Sequence, residues 1–256
     1  MNKEEDKSGQ VTMFIIVGVI IIALAVLIYA FYPQIKSTLG FESKNPSEFI
    51  QSCLEDEIKN TVGELSLRGG SLEPDFYYLY NNEKVEYLCY TNEDYKTCVM
   101  QQPMLKEHIE EEIENQISGK ATECFNSMKE SYANRGYAVN LRTGKMKVEL
   151  LPKKVVANFD YSMTLTKGSA ENYEKFRVVL NNNLYELVSI ATSILNWEAH
   201  YGDAETTTYM NYYHDLKVEK LKQSDGTKIY ILSDRDSKDK FQFATRSVAW
   251  PAGFGG

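Results

Sequence analysis

The sequence contains few of the residue types that carry catalysis and none of the short motifs that usually organise them. It has 3 histidines in 256 residues. It lacks the G-x-S-x-G turn of serine hydrolases and the H-E-x-x-H helix of zinc peptidases. Gly69-Gly70 is not followed by the Lys-Ser/Thr of a phosphate-binding loop. The sequence therefore predicts a protein that is not an enzyme and that uses no cofactor.

Clusters of basic residues are also absent. The formal net charge is −8, and the nearest approach to a basic cluster is interspersed with apolar residues, at Lys145, Lys147, Lys153 and Lys154. Nucleic-acid affinity comes mainly from neutralising phosphates with lysine and arginine. Nucleic acid is therefore excluded as an expected partner.

Metal-ligand spacings are missing as well. The four cysteines form no C-x-x-C pair and match no zinc finger or ribbon. Carboxylates and imidazoles gather only in the stretch 197–216, at Glu198, His200, Asp203, Glu205 and His214. Glu198 and His200 are two residues apart, and on a helix that spacing does not point two side chains in one direction. We expect capping and surface roles for these residues and no metal site.

Charge is absent from residues 11–32, and from Met13 onward only Gly18, Tyr29 and Tyr32 interrupt the apolar run. A bilayer core of about 30 Å needs about 20 such residues as a helix. The two tyrosines lie where interfacial aromatics are expected, and Pro33 ends or kinks the helix. A secretory signal has a shorter apolar region and a small-residue cleavage site. Residues 11–33 are therefore predicted to be a retained helix in contact with membrane lipid.

The residues before this helix carry a family resemblance. The stretch KSGQVT at residues 7–12 resembles the archaeal class III, type IV pilin-like signal. The resemblance implies cleavage on the cytoplasmic side between Gly9 and Gln10 by a prepilin-type peptidase, with Thr12 at the small hydroxyl position. The helix then remains as an anchor or becomes a filament core. The pattern departs at Phe14, where the family usually has a Glu that registers subunits during assembly.

The function implied by this resemblance is that of a pilin-like filament or adhesion subunit. The residues expected to form the membrane or assembly face are Phe14, Ile15, Ile16, Ile20, Leu24, Leu27 and Tyr29. Two alternatives are a non-polymeric accessory subunit of an envelope complex and a membrane-anchored surface enzyme. A plain signal anchor that happens to contain Gly-Gln is the simplest alternative to the family resemblance.

The cysteines indicate on which side of the membrane the chain lies. Cys89 and Cys98 bracket a turn-rich stretch of eight residues, and Cys53 and Cys124 each fall on the apolar face of a predicted helix. These positions predict the pairs Cys89–Cys98 and Cys53–Cys124. Because disulfides persist in oxidising compartments, we expect the main domain on the extracellular side. The alternative is four free thiols that face the cytosol.

The chain is predicted to have four parts. They are a cytoplasmic leader (1–10), the apolar helix (11–33), a connector (34–44) and an extracytoplasmic domain (45–256). Helical periodicity marks 45–68, 103–133 and 184–195. Strand patterns mark 77–100, 139–150, 155–165, 173–180, both sides of Ser224-Asp225-Gly226, and 241–248. The prediction is an α+β fold, with helices on one face of a mainly antiparallel sheet.

Aromatic residues are concentrated in two segments, 76–80 and 209–213, where both faces of the chain carry rings. Aromatic side chains bury large areas and keep a polar tip, so they suit interfaces as well as cores. One interpretation is core packing, and the other is a contact surface for another protein or a glycan. The expected partners are thus membrane lipid, further copies of the chain and other surface proteins.

Overall fold

The computed structural model of the protein describes residues 16–22, 45–237 and 239–248. The chain divides into two units, residues 1–44 and 45–256. In the first unit, residues 16–22 are helical, and they include the predicted assembly residues Ile16 and Ile20. The other predicted residues of the leader and the apolar helix lie outside the described part, namely Gly9, Gln10, Phe14, Ile15, Leu24, Leu27 and Tyr29. No helix among the described residues combines the length and the apolar character needed to cross a membrane.

The described part of the second unit contains four helices and ten strands. The helices are α1 (Pro46–Leu67), α2 (Leu105–Asn134), α3 (Leu184–Tyr201) and α4 (Thr206–Tyr212). The strands are β1 (Tyr77–Tyr80), β2 (Glu83–Tyr90), β3 (Val99–Met100), β4 (Ala138–Arg142), β5 (Met146–Leu151), β6 (Lys154–Lys167), β7 (Ser169–Asn181), β8 (Leu216–Lys222), β9 (Thr227–Asp234) and β10 (Lys240–Arg246). The α+β class predicted from the sequence is confirmed.

Helix α1 begins and ends where its sequence predicts. The Ser47 amide donates to the Asn45 side chain at 2.9 Å, and Pro46 occupies the first turn, where no amide donor is needed. At the other end Gly69 has a φ of +89°, and the Gly70 amide donates back to the Leu65 carbonyl at 2.9 Å. This is the left-handed glycine cap that closes a helix by returning the chain onto its last turn.

The first sheet has the strand order β1-β2-β10-β9-β8, with β3 paired to β2. All its pairings are antiparallel except the parallel pair of β10 with β2. The turn between β1 and β2 places Asn81 and Asn82 at φ values of 49° and 68°. Two successive positive φ values match the hairpin turn whose twist suits adjacent strands.

The second sheet is built around β6. Strand β7 pairs along almost the whole length of β6, whereas β5 pairs with one stretch of it and β4 with the next. Strands β4 and β5 therefore share one edge of β6, and β7 covers the other. The long run of alternating residues in 155–165 becomes the central strand of this sheet because it can pair on both sides.

Both outer edges of the second sheet are capped by helix side chains. On β7, the Gln51 side chain accepts from the Val179 amide at 2.9 Å and donates to its carbonyl at 3.0 Å. On β5, the Leu150 amide donates to Glu110 at 2.7 Å. The Val148 amide likewise donates to Glu114. These contacts satisfy backbone amide and carbonyl groups at the strand edges. Unpaired groups at an edge can hydrogen-bond to a strand of another chain.

One core joins the three long helices and both sheets. Helices α1 and α3 each contact strands of both sheets, and the fully buried side chains include Phe125, Phe159, Phe176 and Phe243. The sequence predicts a single sheet, and that expectation is corrected here, because the described residues form two. Alternation shows which residues of a strand face inward, but it carries no information about which strand lies alongside, so the division into sheets could not be predicted.

The structure contains both disulfides at the predicted positions. Cys53 on α1 pairs with Cys124 on α2, with Cα atoms 6.0 Å apart. Cys89 on β2 pairs with Cys98 across the turn before β3, with Cα atoms 5.3 Å apart. The first bond joins two helices of the core, and the second closes a loop beside the first sheet.

Candidate ligand-binding cleft

The candidate site lies at the C-terminal end of α3. The apolar stripe of this helix, which includes Ala191, Ile194 and Leu195, is buried in the core. Glu198 continues that stripe one turn later and is fully buried, with 0% exposure. Gly202, with a φ of +79°, then ends the helix and turns the chain toward α4. The helix thus carries a carboxylate into the protein interior.

The buried carboxylate of Glu198 has three partners. The Lys228 ammonium lies 2.7 Å from Oε2, and the Tyr230 hydroxyl and the Ala204 amide both donate to Oε1. Lys228 also donates to the Gly202 carbonyl, so the pair ties β9 to the end of α3. Burial, together with the neighbouring Glu198 carboxylate, raises the pKa of Tyr230 above its ordinary value. The phenol therefore remains a donor.

A second acid, Asp203, binds the lysines from the solvent side. Its oxygens lie 2.8 Å from Lys220 Nζ, 3.2 Å from Lys222 Nζ and 3.4 Å from Lys228 Nζ. Burial alone would raise the pKa of Asp203, but the hydrogen bond from Lys220 and the charge of Lys228 lower it overall. Asp203 is thus held as a carboxylate, and it balances the positive charge at this surface.

A cleft of about 780 Å³ opens above this network. One side carries Trp197, His200 and Tyr201 from α3. The facing wall carries polar side chains from the first sheet and its loops, namely Thr97, Lys222, Gln223, Thr227, Lys228 and Ser247. Pockets of this size, with an apolar wall and a few convergent polar groups, are typical of small-ligand sites.

A second cleft of about 400 Å³ lies on the other side of Trp197. It is lined by aromatic and hydroxyl side chains of α3, α4 and the residue after α4, among them Thr208, Tyr209 and Tyr212. Trp197 and Glu205 line both clefts, so they form the boundary between them. Glu205 is held there because its carboxylate caps α4 by accepting from the Thr207 amide at 2.9 Å.

The aromatic rings around these clefts are largely exposed to solvent. Trp197 is 48% exposed, Tyr201 63% and Tyr212 79%. The rings of Trp197 and Tyr201 lie 4.8 Å apart between centroids, tilted by 39°. Exposed aromatics that gather on one concave surface are a mark of binding. In the segment 209–213, Tyr212 and Tyr213 are exposed, whereas Tyr209 and Met210 pack partly against the core.

The other aromatic segment, 76–80, packs mainly against its own sheet. Phe76 contacts the rings of Tyr87 and Tyr90 at 4.8 Å and 4.6 Å between centroids. Tyr78 meets Tyr87 edge to face at 6.5 Å. These rings form a small cluster on the face of the first sheet that carries Val85 and Ile229, so the packing interpretation fits this segment.

The residues considered as metal ligands in the sequence have other partners. Glu198 is paired with Lys228, and Asp203 is paired with three lysines. Glu205 caps the N-terminal end of α4. The Nδ1 atom of His200 lies 2.8 Å from the Asn196 carbonyl, and His214 is exposed. Within the described ranges, no three His, Cys, Asp or Glu side chains come together in an arrangement that could hold a metal ion.

A second polar cluster joins the end of α1 to β2 and α2. The buried Ser71 hydroxyl donates to Glu86 at 2.6 Å and lies 2.8 Å from His108 Nε2. Burial, followed by the nearby carboxylates of Glu112 and Asp75, raises the pKa of Glu86 to about 7, against the lowering effect of Ser71. Ser71 is only 6% exposed, and its two contacts tie the segment after α1 to β2 and α2.

The chain matches no family model, no curated protein and no solved structure. The chemistry of the clefts must therefore be inferred from their own residues. Sequence reasoning missed both the buried pair and the cleft above it. The sequence does contain a pattern that indicates the buried pair, because both charged residues fall on inward faces. Glu198 continues the apolar stripe of α3, and Lys228 alternates with Tyr230 and Leu232 on the inward face of β9.

Proposed function

We propose that this protein is a cell-surface binding protein, held at the membrane by its N-terminal apolar segment and acting through contact rather than catalysis. The observation that carries the proposal is the concave aromatic surface around Trp197, where rings are exposed although the core of the same domain is well filled. Such a surface is suited to holding a partner. A catalytic role has no comparable support from the side chains that line it.

The extracellular location is supported by the disulfides. All four cysteines are paired, and stable disulfides are typical of oxidising compartments. Membrane attachment is supported by the charge-free stretch 11–32. Its described portion is helical with strongly exposed apolar side chains, such as Ile22 at 66% and Ile21 at 60%. An apolar helix in this state is stabilised by a non-aqueous environment.

Within this proposal, the pilin-like or adhesion subunit is favoured by the KSGQVT motif at residues 7–12. Phe14 favours the alternative of a non-polymeric accessory subunit, because a filament would bury the new amine of Gln10 without a matching carboxylate. An unpaired buried charge is strongly unfavourable. The two alternatives differ in whether the leader is removed.

Two measurements on cells test the proposal. In the first, a single extra cysteine is placed at Glu174, an exposed position on β7, and the control cysteine is placed at Asn2. We expect a membrane-impermeant maleimide to label Glu174→Cys on intact cells. Asn2→Cys should label only after lysis in chains that keep residues 1–9, and it is absent from chains that begin at Gln10. Labelling of Glu174→Cys that requires lysis would contradict the extracellular location.

The second measurement is the intact mass of the native protein extracted from membranes. A chain that begins at Gln10 supports the pilin-like subunit, and one that keeps residues 1–9 supports the uncleaved accessory protein. Recovery of the native protein in the soluble fraction after gentle lysis would contradict membrane attachment in both forms.

A further inference from the structure

We propose that the two clefts that meet at Trp197 bind a neutral carbohydrate chain. The inference deepens the proposed contact function and rests on it, because it names the chemical class of the partner. It is argued from the aromatic surface, the polar wall and the charge balance of the clefts.

The aromatic side of the clefts suits the C–H face of a sugar ring. The face of an aromatic ring is electron-rich, and the C–H bonds on one side of a pyranose carry partial positive charge. Trp197 and Tyr201 present adjacent rings to the larger cleft, and Tyr212 presents a third to the smaller one. Rings on both sides of the Trp197 boundary can each hold one sugar of an extended chain.

The opposite wall suits sugar hydroxyls. Thr97, Gln223 and Ser247 supply two hydroxyls and an amide, groups that both donate and accept hydrogen bonds. His200 adds an acceptor. Its Nδ1 atom contacts the Asn196 carbonyl, which can only accept, so Nδ1 carries the proton and Nε2 keeps a lone pair in the neutral ring. Ser247 Oγ also accepts from the Cys98 amide and Gln223 Oε1 from the Tyr78 hydroxyl, and both side chains still carry donor hydrogens that a sugar hydroxyl can accept.

The charges of the larger cleft favour a neutral ligand. Its lining contains two acidic side chains, Asp203 and Glu205, and two basic side chains, Lys222 and Lys228. Both lysines contact Asp203, at 3.2 Å and 3.4 Å. A phosphate or carboxylate would therefore compete with Asp203 for these cations. A cationic ligand would in turn compete with the lysines for the carboxylate.

The experiment measures sugar binding to the full chain in a detergent that has no sugar headgroup. The probes are tetramers of β-linked glucose, β-linked N-acetylglucosamine and α-linked mannose. The chain has two tryptophans, so a Trp250→Phe background makes Trp197 the single reporter of fluorescence. We expect at least one tetramer to change this fluorescence and to release measurable heat by calorimetry at millimolar concentrations or below.

Variants then locate the site. We expect Trp197→Ala, measured by calorimetry, to weaken binding by about tenfold or more, as for a central aromatic anchor. Trp197→Phe, which keeps a ring, should retain part of the affinity. Tyr77→Ala is the matched control, because it removes an exposed ring of β1 that lines neither cleft. Near-ultraviolet circular dichroism of each variant checks that the domain remains folded.

Three results would overturn the proposal. They are the absence of binding by all three tetramers, unchanged affinity in a folded Trp197→Ala variant, and a protein ligand that occupies the clefts while no sugar does. Failure of the carbohydrate proposal can be distinguished from failure of the proposed function. Sugar binding by a chain whose Glu174→Cys variant labels only after lysis rejects the surface location alone. External labelling without sugar binding rejects the carbohydrate alone.

Discussion

Replacing Glu86 by glutamine should make the stability of the protein less dependent on pH. The carboxyl is held between Ser71 and the acids Glu112 and Asp75, and its pKa in the folded chain is about 7 against an ordinary value of 4.5. The protonated form is therefore the one that the fold favours. Its contribution to stability is complete below about pH 4.5 and is lost as the pH rises through about 7.

The magnitude follows from the shift. A rise of about 2.5 in the pKa of Glu86 corresponds to about 3.5 kcal/mol at about 1.4 kcal/mol per unit. The Glu86 side chain is only partly buried, and solvent screening reduces this to about 2 kcal/mol. Glutamine is uncharged at all pH values, and its amide oxygen can still accept the hydrogen bond from Ser71. Relative to the wild type, the variant should therefore gain about 2 kcal/mol of unfolding free energy between about pH 5 and about pH 8.

The assay is urea unfolding of the full chain in detergent, in the Trp250→Phe background, followed by the fluorescence of Trp197 at about pH 5 and about pH 8. The matched control is Glu93→Gln, an exposed acid paired with Lys96, which should change stability by less than about 0.5 kcal/mol at either pH. A stability difference between Glu86→Gln and the wild type that is the same at both pH values would refute the reasoning.

Two further predictions concern the covalent and ionic links of the core. Cys124→Ala should destabilise the domain by about 4 kcal/mol and Cys98→Ala by about 2.6 kcal/mol, because the two bonds close loops of 71 and 9 residues. Equal losses of unfolding free energy in urea would contradict the loop-entropy explanation. Lys228→Met leaves the Glu198 carboxylate buried without its cation and should cost about 3–5 kcal/mol. Adding Glu198→Gln should recover much of that loss, and additive losses in the double variant would show that the two residues are not coupled.

Secondary structure could be predicted because it depends on local patterns. The cap at Asn45, the glycines after α1 and the alternation in 155–165 each act over a few residues, and the structure follows them closely. The disulfides could be predicted for a related reason. Cys53 and Cys124 lie on the inward faces of their helices, so two helices packed on one core bring them together.

The short helix α4 was not predicted, since its sequence TTTYMNY has low helix propensity and no buried residue. Its helical form depends on the Glu205 cap and on Tyr209, whose hydroxyl lies 2.9 Å from Ser193 on α3. Both contacts depend on where α3 ends. The second cleft could not be predicted for the same reason, because its lining comes from elements whose relative placement is set by tertiary packing.

The buried pair of Glu198 and Lys228 explains how the cleft above it keeps its shape. Burying two charges rarely stabilises a protein more than apolar residues of the same size would, because desolvation offsets most of the attraction. The pair instead fixes the position of the last turn of α3 along β9. Glu198 can meet Lys228, Tyr230 and the Ala204 amide together only if the last turn of α3 lies at one place along β9.

An apolar contact at the same place would not fix the end of α3 in one direction, because the hydrophobic effect is non-directional. Trp197 is adjacent in sequence to Glu198, and Tyr201 follows one turn later, so both rings are fixed when the carboxylate is fixed. Asp203 then holds Lys220 and Lys222 of β8 against the same helix end. The buried pair of Glu198 and Lys228 therefore fixes the backbone that carries the exposed rings, as the proposed binding function requires of a preformed surface.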